Sequence, residues 1–161
     1  MKKFIISCLS IFLLMISCEK NDTNSGISIK EGLRFKMDGV SKEFELNTNV
    51  GKCQVIDYTG TKNGICLTAS NTNGETIDFF INTENLEKKK YSLAPDNNVC
   101  EGHLGEDFFG NGNIEILEIS EKIKGKFNGV IIDYSSLLNP SQQYISYQIT
   151  DGEFCIENNI K

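Results

Sequence analysis

From Gly32 onward, apolar and polar residues alternate over short stretches, each closed by a turn signal. Leu33-Arg34-Phe35-Lys36-Met37 has the period of two of a half-buried strand. Asp38-Gly39 follows, the chemistry of a two-residue hairpin turn with positive φ, and Phe44 and Leu46 share one face of the returning strand. Further strand-like runs cover Cys53–Tyr58, Ile65–Ala69, Thr76–Ile81, Tyr91–Leu93, Asn113–Ile119, Lys122–Asp133, Tyr144–Ile149 and Glu153–Glu157. Thr59-Gly60, Asn63-Gly64, Asn73-Gly74, Gly110-Asn111-Gly112 and Asp151-Gly152 read as turns between them, and 96–109 reads as a loop. About nine or ten strands at this spacing predict an all-β fold with little helix, an antiparallel sandwich, meander or barrel. Thr83–Lys90 has the composition for one or two helical turns but no apolar stripe, and Ser135–Ser141 predicts a short turn. No βαβ alternation occurs, which excludes a Rossmann-type or P-loop domain.

The first residues carry a different pattern. Met1-Lys2-Lys3 is a basic start, Phe4–Ile16 is apolar, and Glu19-Lys20-Asn21-Asp22 is polar. The apolar run is shorter than the ~20 residues that cross a bilayer and has the layout of a secretory signal. Its end, Met15-Ile16-Ser17-Cys18, resembles a bacterial lipobox. The resemblance implies cleavage before Cys18, a diacylglycerol thioether on its sulfur and an acylated (palmitate-bearing) amino terminus. Several acyl chains anchor stably where one is marginal. Residues 1–17 are then a lipoprotein signal peptide, 18–31 a flexible lipid-anchored tether, and 32–161 a single β domain. Glu19 and Asp22 resemble the acidic surface-export signal of Bacteroidota lipoproteins. The expected location is the outer membrane, lipid-anchored, facing the cell surface or the periplasm.

Charge argues against a nucleic-acid partner. The chain has a formal net charge of −6 and a sequence pI near 4.9, without the clustered positive charge that nucleic acid requires. Loss of Lys2 and Lys3 with the signal makes the mature chain more acidic still.

Candidate chemistry is sparse. Of six cysteines, Cys8 leaves with the signal and Cys18 takes the lipid. Cys53, Cys66, Cys100 and Cys155 remain, an even set that reads as two disulfides in an exported domain. Their connectivity is open. Cys53 and Cys66 face one another if the hairpin turns at Thr59-Gly60, and are offset if it turns at Asn63-Gly64. No Cys-x-x-Cys occurs, so zinc is not expected, and no cofactor or metal is assigned. His103, the single histidine, lies three residues after Cys100, a spacing that suits a metal or a thiolate–imidazole pair. A structural loop is the stronger expectation for this stretch. Phe108-Phe109 is a candidate contact surface, with one ring expected to cap the core. Lys88-Lys89-Lys90 reads as a solvated face or a guard on a strand edge. The absence of tryptophan weakens a glycan platform.

Three stretches together resemble small Bacteroidota lipoproteins of uncharacterised function. Phe35-Lys36-Met37-Asp38-Gly39 resembles their opening strand and turn. Ile114–Ile119 followed by Ile123-Lys124-Gly125-Lys126-Phe127 resembles a later strand pair, and Ile149-Thr150-Asp151-Gly152-Glu153-Phe154 a closing motif. The resemblance implies an antiparallel β domain behind a lipid anchor and implies no activity. The expectation is therefore a non-enzymatic binding module for an envelope protein or a glycan. A lipocalin-like carrier is the alternative, and a hydrolase using His103 comes last.

Overall fold

A computed structural model of the chain describes residues 26–57, 60–94, 99–138 and 143–161. The signal segment, Cys18 and the first part of the tether lie outside the described residues. The elements are β1 (Gly32–Met37), β2 (Val40–Phe44), β3 (Leu46–Asp57), β4 (Gly60–Ser70), β5 (Thr76–Ile81), β6 (Lys90–Leu93), β7 (Cys100–Leu104), β8 (Asp107–Ile119), β9 (Lys122–Ile132), α1 (Tyr134–Leu137) and β10 (Ser146–Glu157). The all-β expectation holds, and the ten strands form one antiparallel sheet rather than a two-sheet sandwich. Its order is β2-β1-β10-β9-β8-β7-β5-β4-β3, with β6 also paired to β8.

The sheet curls into a nearly closed barrel because its two end strands are consecutive in the chain. β2 pairs with β1. After Glu45 the chain bends, with Asn47 at φ 49° and a register shift between Leu46 and Asn49, and continues as β3 against β4. The tail beyond β10 narrows the gap: Val50 bridges Asn158 in parallel, and the Val50 carbonyl accepts from the Asn159 amide at 3.1 Å. Lys42 on β2 also reaches Glu75 in the β4–β5 turn at 3.1 Å.

Inward-facing residues fill the barrel. Leu33, Phe35, Phe44, Ile65, Leu67, Ile77, Phe79, Ile81, Phe109, Ile114, Ile116, Phe127 and Phe154 belong to one buried cluster. Phe127 is its hub, with ring centroids at 5.1 Å from Phe79, 5.7 Å from Phe35 and 6.5 Å from Phe109. Each such ring contributes roughly 1.5–3 kcal/mol by leaving water. On the outer face, strand register lines up Glu43, Arg34, Glu153, Lys126, Glu115 and Lys90 in one row of alternating sign across six strands. Opposite charges directly across strands favour this register over a slip.

Several turn expectations are corrected, and most of the corrections involve glycine. Asp38-Gly39 is a hairpin turn as expected, with both φ values positive. Asp151-Gly152 is not a turn but a bulge inside β10: Asp151 has φ 53° and the register to β9 shifts between Ile149 and Gly152. Asn63-Gly64 lies within β4, where a Cβ on Gly64 would run into the Phe80 ring and the Ile81 carbonyl. Gly110-Asn111-Gly112 lies within β8, and the stretch read as a loop contains β7 and the start of β8. Here glycine permits close strand contact rather than a reversal. Thr83–Lys90 is not helical; the Thr83 hydroxyl and the Asn85 backbone close a local turn instead. The short turn expected near Ser135 is α1.

Candidate functional site

The cysteines divide into three environments. Cys53 and Cys66 form a disulfide with Cα atoms 5.8 Å apart. The β3–β4 register places Cys53 opposite Gly64 and Cys66 opposite Gly51. The turn expected at Thr59-Gly60 lies partly outside the described residues; the register sets Cys53 and Cys66 two residues out of direct opposition, so the bridge runs diagonally between the strands. Of the two bridges expected, this one forms and the second does not. Cys100 and Cys155 are buried thiols on β7 and β10, with β8 and β9 between them. Cys100 belongs to the core cluster. Cys155 lies between the core residues Phe154 and Ile156 and so faces the other way. Two intervening strands and opposite faces put the pair beyond disulfide reach. Burial pushes the Cys100 thiol up to about 12, with the Glu101 carboxylate adding to the effect. Burial also raises Cys155, against the pull of Lys122 and Lys124. Neither thiol is disposed to ionise, which is the opposite of a reactive cysteine.

His103 is exposed on β7, with Asp78 of β5 on one side and Phe108 of β8 on the other. Cys100 and His103 therefore face opposite sides of one strand, and the structure does not bring them together as ligands or as nucleophile and base. Asp78 is raised by burial, against the opposing attraction of His103. Phe109 is fully buried between Phe79 and Phe127, while Phe108 is half-buried on the outer face. Of the expected contact pair, one ring caps the core. Among the described residues no group of three or more His, Cys, Asp or Glu is placed to hold a metal, and no helix is long and apolar enough to cross a membrane.

The feature that sequence reading missed is the β9–β10 connection. Asp133 caps α1 by accepting from the Ser136 amide at 3.1 Å. The Ser135 hydroxyl bound to it holds its carboxyl below the usual range. Ser136 is buried; its hydroxyl donates to the Asp133 carbonyl at 2.7 Å and accepts from the Ile145 amide at 3.2 Å. The Tyr134 amide is anchored on Asp107 at 3.0 Å. With the backbone pinned at Tyr134, Ser136 and Ile145, the large side chains on these two described flanks of the connection turn outward. Tyr134, Leu137, Leu138, Tyr144 and Ile145 are five of the nine exposed large hydrophobics among the described residues, from 37% exposure at Leu137 to 69% at Leu138. Val40, in the β1–β2 hairpin at the same end, is 65% exposed. Asp107 also borders a recess of about 310 Å³ with Met37, Leu104 and Tyr147 in its walls. Such a concentration of apolar surface marks an interaction site more often than chance exposure. The signal in the sequence was Leu137-Leu138 and Tyr144-Ile145 on either side of Asn139-Pro140: apolar pairs without the alternation that would bury them.

No protein family, curated protein or solved structure matches the chain.

Proposed function

We propose that the chain is a lipid-anchored module of the bacterial cell envelope that binds an envelope protein through the apolar end of its barrel, without catalysis. The observation that carries this reading is the exposure of Tyr134, Leu137, Leu138, Tyr144 and Ile145 on the two described flanks of the β9–β10 connection. Leucine and isoleucine side chains suit apolar protein surface better than the hydroxyls of a glycan, and Asp107 and Asp133 beside them disfavour anionic headgroups. The anchor rests on the lipobox-like Met15-Ile16-Ser17-Cys18 and on the resemblance to Bacteroidota lipoproteins, which also supports the outer membrane as the site. The alternative, a carrier, rests on the barrel shape of the sheet. The phenylalanine cluster occupying the interior favours binding on the outside.

The test is co-purification of the lipidated protein from its own membranes, beside Leu138→Asp and Tyr144→Ser. A protein companion lost in both variants, with unfolding midpoints unchanged, supports the reading. A companion retained by both variants, or recovered glycan in its place, rejects the apolar end as the site. Palmitate incorporation abolished by Cys18→Ala checks the anchor separately.

A further inference from the structure

The distal half of the β3–β4 hairpin projects past the point where β4 leaves β5: β4 pairs with β5 only from Ile65 to Ser70, whereas β3 and β4 pair out to Asp57 and Gly60. This two-stranded arm is held rigid at its base. The Cys53–Cys66 bridge ties its strands, Gly64 lies against the Phe80 ring, and Lys62 reaches Glu101 on β7 at 3.5 Å. One side of the arm is an open strand edge. The Val50 carbonyl points to the tail at Asn159, away from β4. Lys52, Gln54 and Ile56, at alternate positions in an unbroken register, turn their backbone N–H and C=O groups the same way. Among the described residues nothing pairs with them. Such a row is a template for an added strand.

We infer that this edge pairs with the same edge of a second copy of the chain. An antiparallel two-fold arrangement sets Gln54 opposite the partner's Gln54 and Lys52 opposite the partner's Ile56. Every outward N–H and C=O of the three residues then finds a mate in one closed set, as an isologous contact requires. The side chains agree with this register. Ile56, 81% exposed, comes to lie against the aliphatic stem of a lysine whose ammonium stays in water. The two lysines are kept about 13 Å apart along the strands, beyond the ~8–10 Å screening length. The tail bound at Val50 ends the paired stretch on that side. A ladder this short buries less than the ~800 Å² per partner of a stable soluble complex, so it forms where copies are crowded. That condition rests on the lipid anchor proposed above. The chain from Cys18 to Gly26 spans at most about 28 Å, which holds the barrels in a thin layer and raises their effective concentration.

The experiment places a benzophenone amino acid at position 56 of the full-length chain and irradiates intact membranes. The expected product has twice the chain mass, with the partner peptide containing Lys52. Gln54→Pro removes an edge-facing N–H together with the exposed Gln54 Nε2–Asn63 Oδ1 bond, leaves the β4 backbone ladder and the Cys53–Cys66 bridge in place, and lowers the product about ten-fold, the worth of one or two lost backbone hydrogen bonds. If that variant misfolds, Gln54→Lys alone loses the product and co-expression with Gln54→Glu restores it. Product unchanged by these variants, product joined to a different protein, or no product while Cys18 carries palmitate overturns the inference. If Cys18 carries no lipid, the anchor reading fails. Irradiation of concentrated purified chain then decides the edge on its own: a doubled mass sensitive to position 54 supports it, and monomer alone overturns it.

Discussion

The barrel body and the β3–β4 arm are made of the same kind of strand, yet different forces hold them. Around Phe127 the body is stabilised by non-directional burial, with rings from three other strands, β1, β5 and β8, packed on it. The arm has few inward neighbours, and Lys52, Gln54 and Ile56 are exposed on it. A covalent bridge, one glycine contact and one ion pair take the place of a core. A sheet can extend beyond its hydrophobic centre when a disulfide compensates for the missing burial.

The comparison is sharpened first by removing the hub. Phe127→Ala is expected to cost about 3–5 kcal/mol, measured by urea unfolding, because Phe35, Phe79 and Phe109 all lose a packed face. A loss below about 1 kcal/mol contradicts a filled interior. Replacing Cys53 and Cys66 with serine comes second, at about 2–3 kcal/mol for a loop of this size. Its signature is regional: amides from Lys52 to Asn63 gain exchange while those beside Phe127 keep their protection. Uniform loss of protection means that the arm and the body are one cooperative unit. Gly64→Ala is third, at about 1–3 kcal/mol from overpacking against Phe80 and Ile81, since it strikes the joint between the two regions. The smallest effect is a gain. Asp78 on the outer face is raised by burial, so its contribution to stability is present at low pH and is lost as pH rises through the raised value. Asp78→Asn should therefore match the wild type near pH 3 and melt slightly higher at neutral pH. A lower melting temperature at neutral pH means that the attraction of His103 outweighs burial.

Much of the body was legible in the chain. Period-two alternation located β1, β5 and β9 closely, Asp38-Gly39 gave its hairpin, and Cys53 and Cys66 carried the information for a bridge across one hairpin. The errors share a physical cause. Asn-Gly and Asp-Gly report a local tolerance for unusual backbone, and a sheet uses that tolerance for bulges and close contacts as readily as for turns. Gly64, Gly112 and Gly152 owe their places to residues on neighbouring strands, which local sequence does not encode. The second bridge failed for a related reason: which face of which strand Cys100 and Cys155 occupy is decided by the whole sheet. His103 was legible as an isolated residue, but its placement opposite Asp78 and Phe108 depended on recognising β7. The exposed apolar set from Tyr134 to Ile145 was least legible, because exposure is a property of the finished surface and those side chains have core-like composition.

The central claim is that the barrel is closed to cargo and binds a protein at its apolar end. Native mass spectrometry of the lipidated chain, released gently from its own membranes, tests it most directly. The account predicts the mass of the acylated chain plus a protein companion that Leu138→Asp removes. A stoichiometric small molecule retained by both wild type and Leu138→Asp would contradict it, because the phenylalanines around Phe127 would then have to make room for cargo.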